Sequence, residues 1–134
     1  MRYVQCDSES GHEQAFCHLL EEEWTKLGIT FWRDPVGEKA GSDGWNLGAS
    51  IPGTGVPVLF SCHMDTVVPG RGIRPVVEDG VIRSSGDTVL GADDKSGIAA
   101  VMEALERILE SDRPHRPVEI LFSVCEEVGL KGAK

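Results

Sequence analysis

A three-layer α/β sandwich, with a central mixed, mostly parallel sheet and helices on both faces, is the fold that these 134 residues predict. Two stretches place their apolar residues at helical spacing. Four short apolar runs alternate with them, and two of these are apolar nearly throughout, as strands buried on both faces require. Strands alternating with helices build a layered α/β sheet, whose ligand sites gather beyond the carboxyl ends of the strands.

Taken in order, Ser10-Gly11-His12-Glu13 has the S-x-x-E form of a helix-capping box. Ala15, Phe16, Leu19, Leu20, Trp24 and Leu27 then make one apolar helical face, and Gly28 stands where a helix commonly stops. Ile29 to Trp32 and Trp45 to Ile51 read as strands, and residues 34–43 between them as a mobile loop. Val56 to Ser61 is apolar enough for a central strand covered on both faces. Residues 75–83 form a hairpin about an Asp79-Gly80 turn. A second helix is expected from about Lys95 to Leu109, with Ile98, Val101, Met102, Leu105, Ile108 and Leu109 at its period. Pro114 and Pro117 punctuate the following loop. Val118 to Val124 is a last apolar strand, stopping at Cys125-Glu126-Glu127.

The formal net charge of −9 and the lack of any Lys/Arg cluster argue against a nucleic-acid partner. Gly53-Thr54-Gly55 does not continue into a phosphate-binding fingerprint. No run approaches the ~20 apolar residues that cross a membrane. Cys6, Cys17, Cys62 and Cys125 are scattered without a C-x-x-C pair, which reads as reduced thiols and a cytoplasmic location. His12, His18 and His115 read as surface residues.

Three acid-rich spots fall at one rim of the expected sheet. His63 and Asp65 follow one strand, Glu126 and Glu127 follow another, and Asp93-Asp94 precedes the second helix. Residues two apart at a strand end point the same way, so a carboxylate can hold an imidazole while the other ring nitrogen binds a metal. Carboxylates gathered at one rim repel one another unless a cation neutralises them. Imidazole nitrogen and carboxylate oxygen suit zinc, and accept manganese or cobalt. A cation there lowers the pKa of water, and a further carboxylate can take the proton. Each spot alone has a plainer explanation: a solvated strand end, acids favoured at a helix N-terminus beside a solvated Lys95, or an exposed acidic turn. Their joint occurrence points to a site.

"HMDTV", "LGADDKSGIAA" and "EEVGLKGAK", in this order, resemble the peptidase T (tripeptidase) branch of the dinuclear-zinc metallopeptidases, the superfamily of carboxypeptidase G, acetylornithine deacetylase and the aminoacylases. "DSESGHE", "PGTG" and "GRGIRPVVEDGVIRS" fit the same pattern, so the resemblance covers nearly the whole chain. It implies two Zn2+ ions (Mn2+ or Co2+ being acceptable), with His63 on one, Asp93 bridging both, and Glu127 on the second. It also implies that Asp65 orients His63, that Glu126 is the general base, and that the Asp93–Asp94 peptide is cis. The implied reaction is hydrolysis of a peptide bond in short peptides through a water shared between the metals. A deacylase or carboxypeptidase of the same superfamily is the alternative within it; a non-catalytic cation-binding α/β module is the alternative outside it.

The family carries a further aspartate downstream of the paired glutamates and a histidine near its carboxyl terminus. No Asp or His follows Glu127 here. The resemblance therefore implies the amino-terminal part of an incomplete catalytic domain, without the lid or dimerisation domain. Such a piece is expected to bind metal weakly, to be inactive, and to self-associate through uncovered core surface, the parent being a homodimer.

Overall fold

The computed structural model describes residues 1–134. Helix α1 (Arg2–Gln5) leads into α2 (Gln14–Lys26), followed by β1 (Phe31–Asp34), α3 (Gly37–Ala40), β2 (Asn46–Ile51), β3 (Val58–His63), the hairpin β4 (Pro75–Glu78) and β5 (Val81–Ser84), α4 (Ala92–Leu109), β6 (Val118–Ser123) and a 3₁₀ turn at Lys131–Ala133.

Helix α2 buries Phe16, Cys17, Leu20 and Trp24, residues three, four and eight apart on one face, while Ala15 is exposed. Its end is a Schellman arrangement, with Gly28 N–H bonded to Thr25 O and Ile29 N–H to Trp24 O. Gly28 has φ +70°, a region that favours glycine. The start differs from the expected capping box. Glu13 is the N-cap residue but makes no side-chain cap bond, and Asp43 Oδ1 accepts the Gln14 N–H at 2.9 Å instead. Both Ser10 and Glu13 are engaged with more distant partners.

The main sheet has strand order β1-β2-β6-β3. It is mixed as expected, but only β3 and β6 run parallel; β1–β2 and β2–β6 are antiparallel. Within these residues it is therefore not mostly parallel. A parallel pair needs a long crossover, and the stretch from β3 through α4 to β6 is the one that supplies it between neighbouring parallel strands.

The register puts Leu47 beside Phe122 and Ala49 beside Ile120 on one face, and that face carries the core. Trp24 of α2 stacks on Phe122 with ring centroids 5.3 Å apart, and its Nε1–H points to Met102 Sδ of α4 at 3.1 Å. Both long helices thus cover the same face. Trp32, Gly48, Leu121 and Ser61 form a row across the opposite face. Trp32 lies so close over Gly48 that a Cβ there would sit 2.2 Å from the indole. These residues make two layers, not three. The expectation that the strand after Val56 is central and buried on both faces is corrected too: β3 is an edge strand, with Leu59 61% and Phe60 40% exposed. Its apolar composition marks surface that nothing in these 134 residues covers.

Two loops hold more order than the sequence suggested. Residues 34–43 contain α3, whose Ala40 is buried. The segment Ser8–Ser10 runs beside Met64–Thr66, through Thr66 N–H to Ser8 O, Ser10 N–H to Thr66 O and Ser8 Oγ to Met64 O. The hairpin turns at Asp79 and Gly80 as expected, both with positive φ.

Candidate metal centre

His63 is the last residue of β3 and pairs with Ser123, the last residue of β6. The two parallel strands therefore end together, and the residues after each are delivered to one rim. Asp93 comes to that rim from the start of α4. Asp93 and Asp94 have non-helical backbone angles, so the regular helix begins at Lys95, as its period indicated. The Asp93–Asp94 peptide is cis, as the resemblance implied.

His63, Asp93 and Glu127 each offer a donor atom, all within 4.8 Å of one another. His63 Nε2 lies 3.1 Å from Asp93 Oδ1 and 4.0 Å from Glu126 Oε2. The other ring nitrogen, Nδ1, is 2.9 Å from the Asp65 carbonyl oxygen and 3.5 Å from its Oδ1. A carbonyl only accepts, so Nδ1 carries a hydrogen, and Nε2 is the ring nitrogen that faces the acids. The imidazole is thus fixed first by the backbone of residue 65, and its carboxylate stands behind.

That carboxylate has other work. It is fully buried and accepts Ser10 Oγ–H at 2.6 Å, Glu126 N–H at 2.8 Å and Glu127 N–H at 3.1 Å. Burial alone would raise the Asp65 pKa, but His63, Ser10 and the two amides outweigh it and hold the group below its ordinary value. Burial likewise lowers His63, yet Asp65 and Asp93 push the imidazole up to about 9. Glu127 is raised, by desolvation first and by Asp93, Glu126 and Asp65 next, with His63 pulling the other way. The donor set is an imidazole among mutually repelling carboxylates, which a divalent cation would neutralise.

All the residues singled out in the sequence converge here. Sequence reasoning missed three others. Ser10 and Glu13 carry a helix-cap pattern but bond to Asp65 and to Cys125, and nothing local distinguishes the two uses. Lys95, expected to be solvated, is buried; its Nζ donates to Cys6 O at 2.6 Å and lies 4.8 Å from the Phe16 ring centroid. The four cysteines are free thiols, and no helix is long and apolar enough to cross a membrane.

The rim lies at the ends of two parallel strands of an α/β sheet, and the comparisons with known proteins specify the family. Residues 46–134 match the model of Peptidase family M28, and the chain belongs to that family. Its fold is similar to a tripeptidase from Staphylococcus aureus subsp. aureus Mu50 (41% identity, TM-score 0.92, 98% of this chain and 36% of that one). It is similar also to the aminopeptidase PepT of Bacillus cereus ATCC 10987 (42% identity, TM-score 0.93, 99% and 36%). Among curated relatives, the uncharacterized protein YqjE of Bacillus subtilis strain 168 is 41% identical over all of this chain and 37% of its own length. Peptidase T of Edwardsiella ictaluri is 48% identical over 40% of the chain. The chain thus spans little more than a third of the relatives that it matches throughout.

Proposed function

We propose that this chain is a partial catalytic domain of a metal-dependent peptidase of the tripeptidase or aminopeptidase kind, acting on short peptides. One observation carries the reading: the His63, Asp93 and Glu127 donors, from three separate elements, meet within 4.8 Å. His63 and Asp93 would hold one zinc ion, and Asp93 and Glu127 a second. When bound, such ions polarise a carbonyl and make water acidic enough to attack near neutral pH. The rest falls to the chain. His63 Nδ1–H is committed to the Asp65 carbonyl, which leaves Nε2 free to ligate. Asp65 fixes the amides of Glu126 and Glu127, and so aims both side chains. Glu126 Oε2, 4.0 Å from His63 Nε2 and partly exposed, takes the proton of the attacking water and returns it to the leaving amine.

Each metal has two protein donors within these residues, whereas catalytic zinc sites use about three. The isolated chain accordingly binds metal weakly and does not turn over peptides. The deciding experiment is Glu126→Gln in the full-length protein, assayed with a tripeptide. The expected result is loss of hydrolysis by roughly 10²–10⁴-fold with metal content kept. A protein that hydrolyses no peptide before the substitution is the non-catalytic cation-binding module instead.

A further inference from the structure

The S-x-x-E pattern at residues 10–13 is left over: it caps no helix, and the proposed mechanism does not use its glutamate. Glu13 is fully buried. Its Oε1 accepts the N–H of Gly11 at 3.0 Å and the N–H of Cys125 at 3.0 Å, with the Cys125 thiol 3.4 Å away. Its Oε2 accepts a hydrogen bond from the Ser42 hydroxyl, whose oxygen in turn accepts the Gly44 N–H. Cys125 is the residue on which the chain turns out of β6 toward Glu126 and Glu127. It does so at φ +53°, in the left-handed region that non-glycine residues enter only under constraint. The constraint is visible: the amide that this conformation turns inward meets a buried carboxylate from 112 residues earlier.

We propose that Glu13 is a positioning residue for the metal centre, and that it works together with Ser10. Glu13 holds Cys125 in its left-handed conformation. Ser10 holds Asp65, and Asp65 holds the next two amides. One short segment therefore grips three consecutive residues, 125 to 127, through two separate carboxylates. Ser10 and Glu13 touch none of the reacting atoms. They set where the carboxylates of Glu126 and Glu127 stand relative to His63 and Asp93. The inference rests on the proposed role of that turn, and it extends the site to a segment whose sequence resembles an ordinary helix cap.

The test is native-state hydrogen exchange of the 134-residue chain, paired with a Co2+ titration followed by visible absorption. In Glu13→Ala, the amides of Glu126 and Glu127 are expected to exchange roughly tenfold faster or more, while Ala49 in β2 keeps its rate. Co2+ affinity is expected to fall by about 10- to 100-fold. Glu13→Gln restores both to near the parent values, because its amide oxygen still accepts from Gly11 and Cys125 while its nitrogen faces Ser42 Oγ. If Glu13→Ala does not fold, Glu13→Asp serves, since it keeps the charge but withdraws it by one methylene. Acceleration confined to Gly11 and Cys125, or spread evenly through β2, would mean a purely structural role and overturn the proposal. Should the parent chain and His63→Ala take up Co2+ equally, the metal-centre reading fails by itself, and the exchange rates alone decide the role of Glu13.

Discussion

The Asp65 carboxylate accepts the backbone N–H of Glu126 at 2.8 Å, so a side chain from the end of one parallel strand fixes the main chain leaving its neighbour. Asp65→Asn keeps the shape but turns an NH2 group toward a donor. The expected outcome is a loss of about 1–3 kcal/mol in urea unfolding, the cost of an unmet buried hydrogen bond. Co2+ uptake should weaken as well. A stability unchanged from the parent would show that the two amides do not depend on this carboxylate.

Metal should stabilise the folded chain by linkage. At a free Zn2+ concentration of ~10 Kd the gain is about 1.4 kcal/mol, seen as a rise in the thermal midpoint that excess chelator removes. Glu127→Gln and His63→Ala should each abolish the rise. A midpoint that climbs with zinc in those variants as it does in the parent would place the ion elsewhere.

Far from the rim, Glu21 is nearly buried and is bonded by both Nε and Nη2 of Arg33 at 2.6 Å and by Trp45 Nε1 at 2.8 Å. Burial alone would raise the Glu21 carboxyl, but Arg33, Trp45 and His18 outweigh it and lower it below 4.5. A group depressed in the folded state contributes stability that is fully present above its unfolded pKa and lost as pH falls through the folded one. Glu21→Gln should therefore lower the urea midpoint at pH 7, with the gap to the parent closing as pH drops below about 4. A gap that stays constant from pH 7 to pH 3 would contradict the assignment.

The bare sheet face makes a hydrodynamic prediction. Leu59 of β3 and Trp32 of β1 stand 61% and 49% exposed on the face without helices, at the two opposite edges of the sheet. Exposed apolar edges of this kind template association. In sedimentation velocity the chain should associate as its concentration rises, and Leu59→Lys should shift it toward monomer. A chain that sediments as a monomer throughout the range would leave this face without a role in assembly.

The long-period signals were legible in the sequence because one face of each element is buried. Both long helices, the hairpin turn at Asp79-Gly80 and the strands before His63 and Glu126 follow from periodicity and turn chemistry. The convergence of His63, Asp93 and Glu127 followed from the rule that ligands gather at strand ends. What could not be read was context. The apolar character of Leu59 and Phe60 looks the same whether their cover lies in these residues or not, so β3 was expected at the centre and stands at the edge. Ser10 and Glu13 match a local motif whose true partners lie 55 and 112 residues away. Lys95 has the composition of a solvated helix start, and only the fold brings the Cys6 carbonyl to it. Long-range polar pairing leaves no periodic trace.

The position of β6 governs how this molecule comes into being. It is made after every other strand of residues 1–134, yet it lies between β2 and β3 and is the sole link between them in the sheet. While the ribosome is still extending the chain through α4, β2 and β3 each wait with an unpaired edge, Asp65 lacks the amides of Glu126 and Glu127, and Glu13 lacks that of Cys125. The joining of β2 to β3 and the assembly of the rim are one event, and both wait for β6. A nascent chain stalled before Val118 would hold β2 and β3 without the strand that joins them, and would lack Glu126 and Glu127 at its rim.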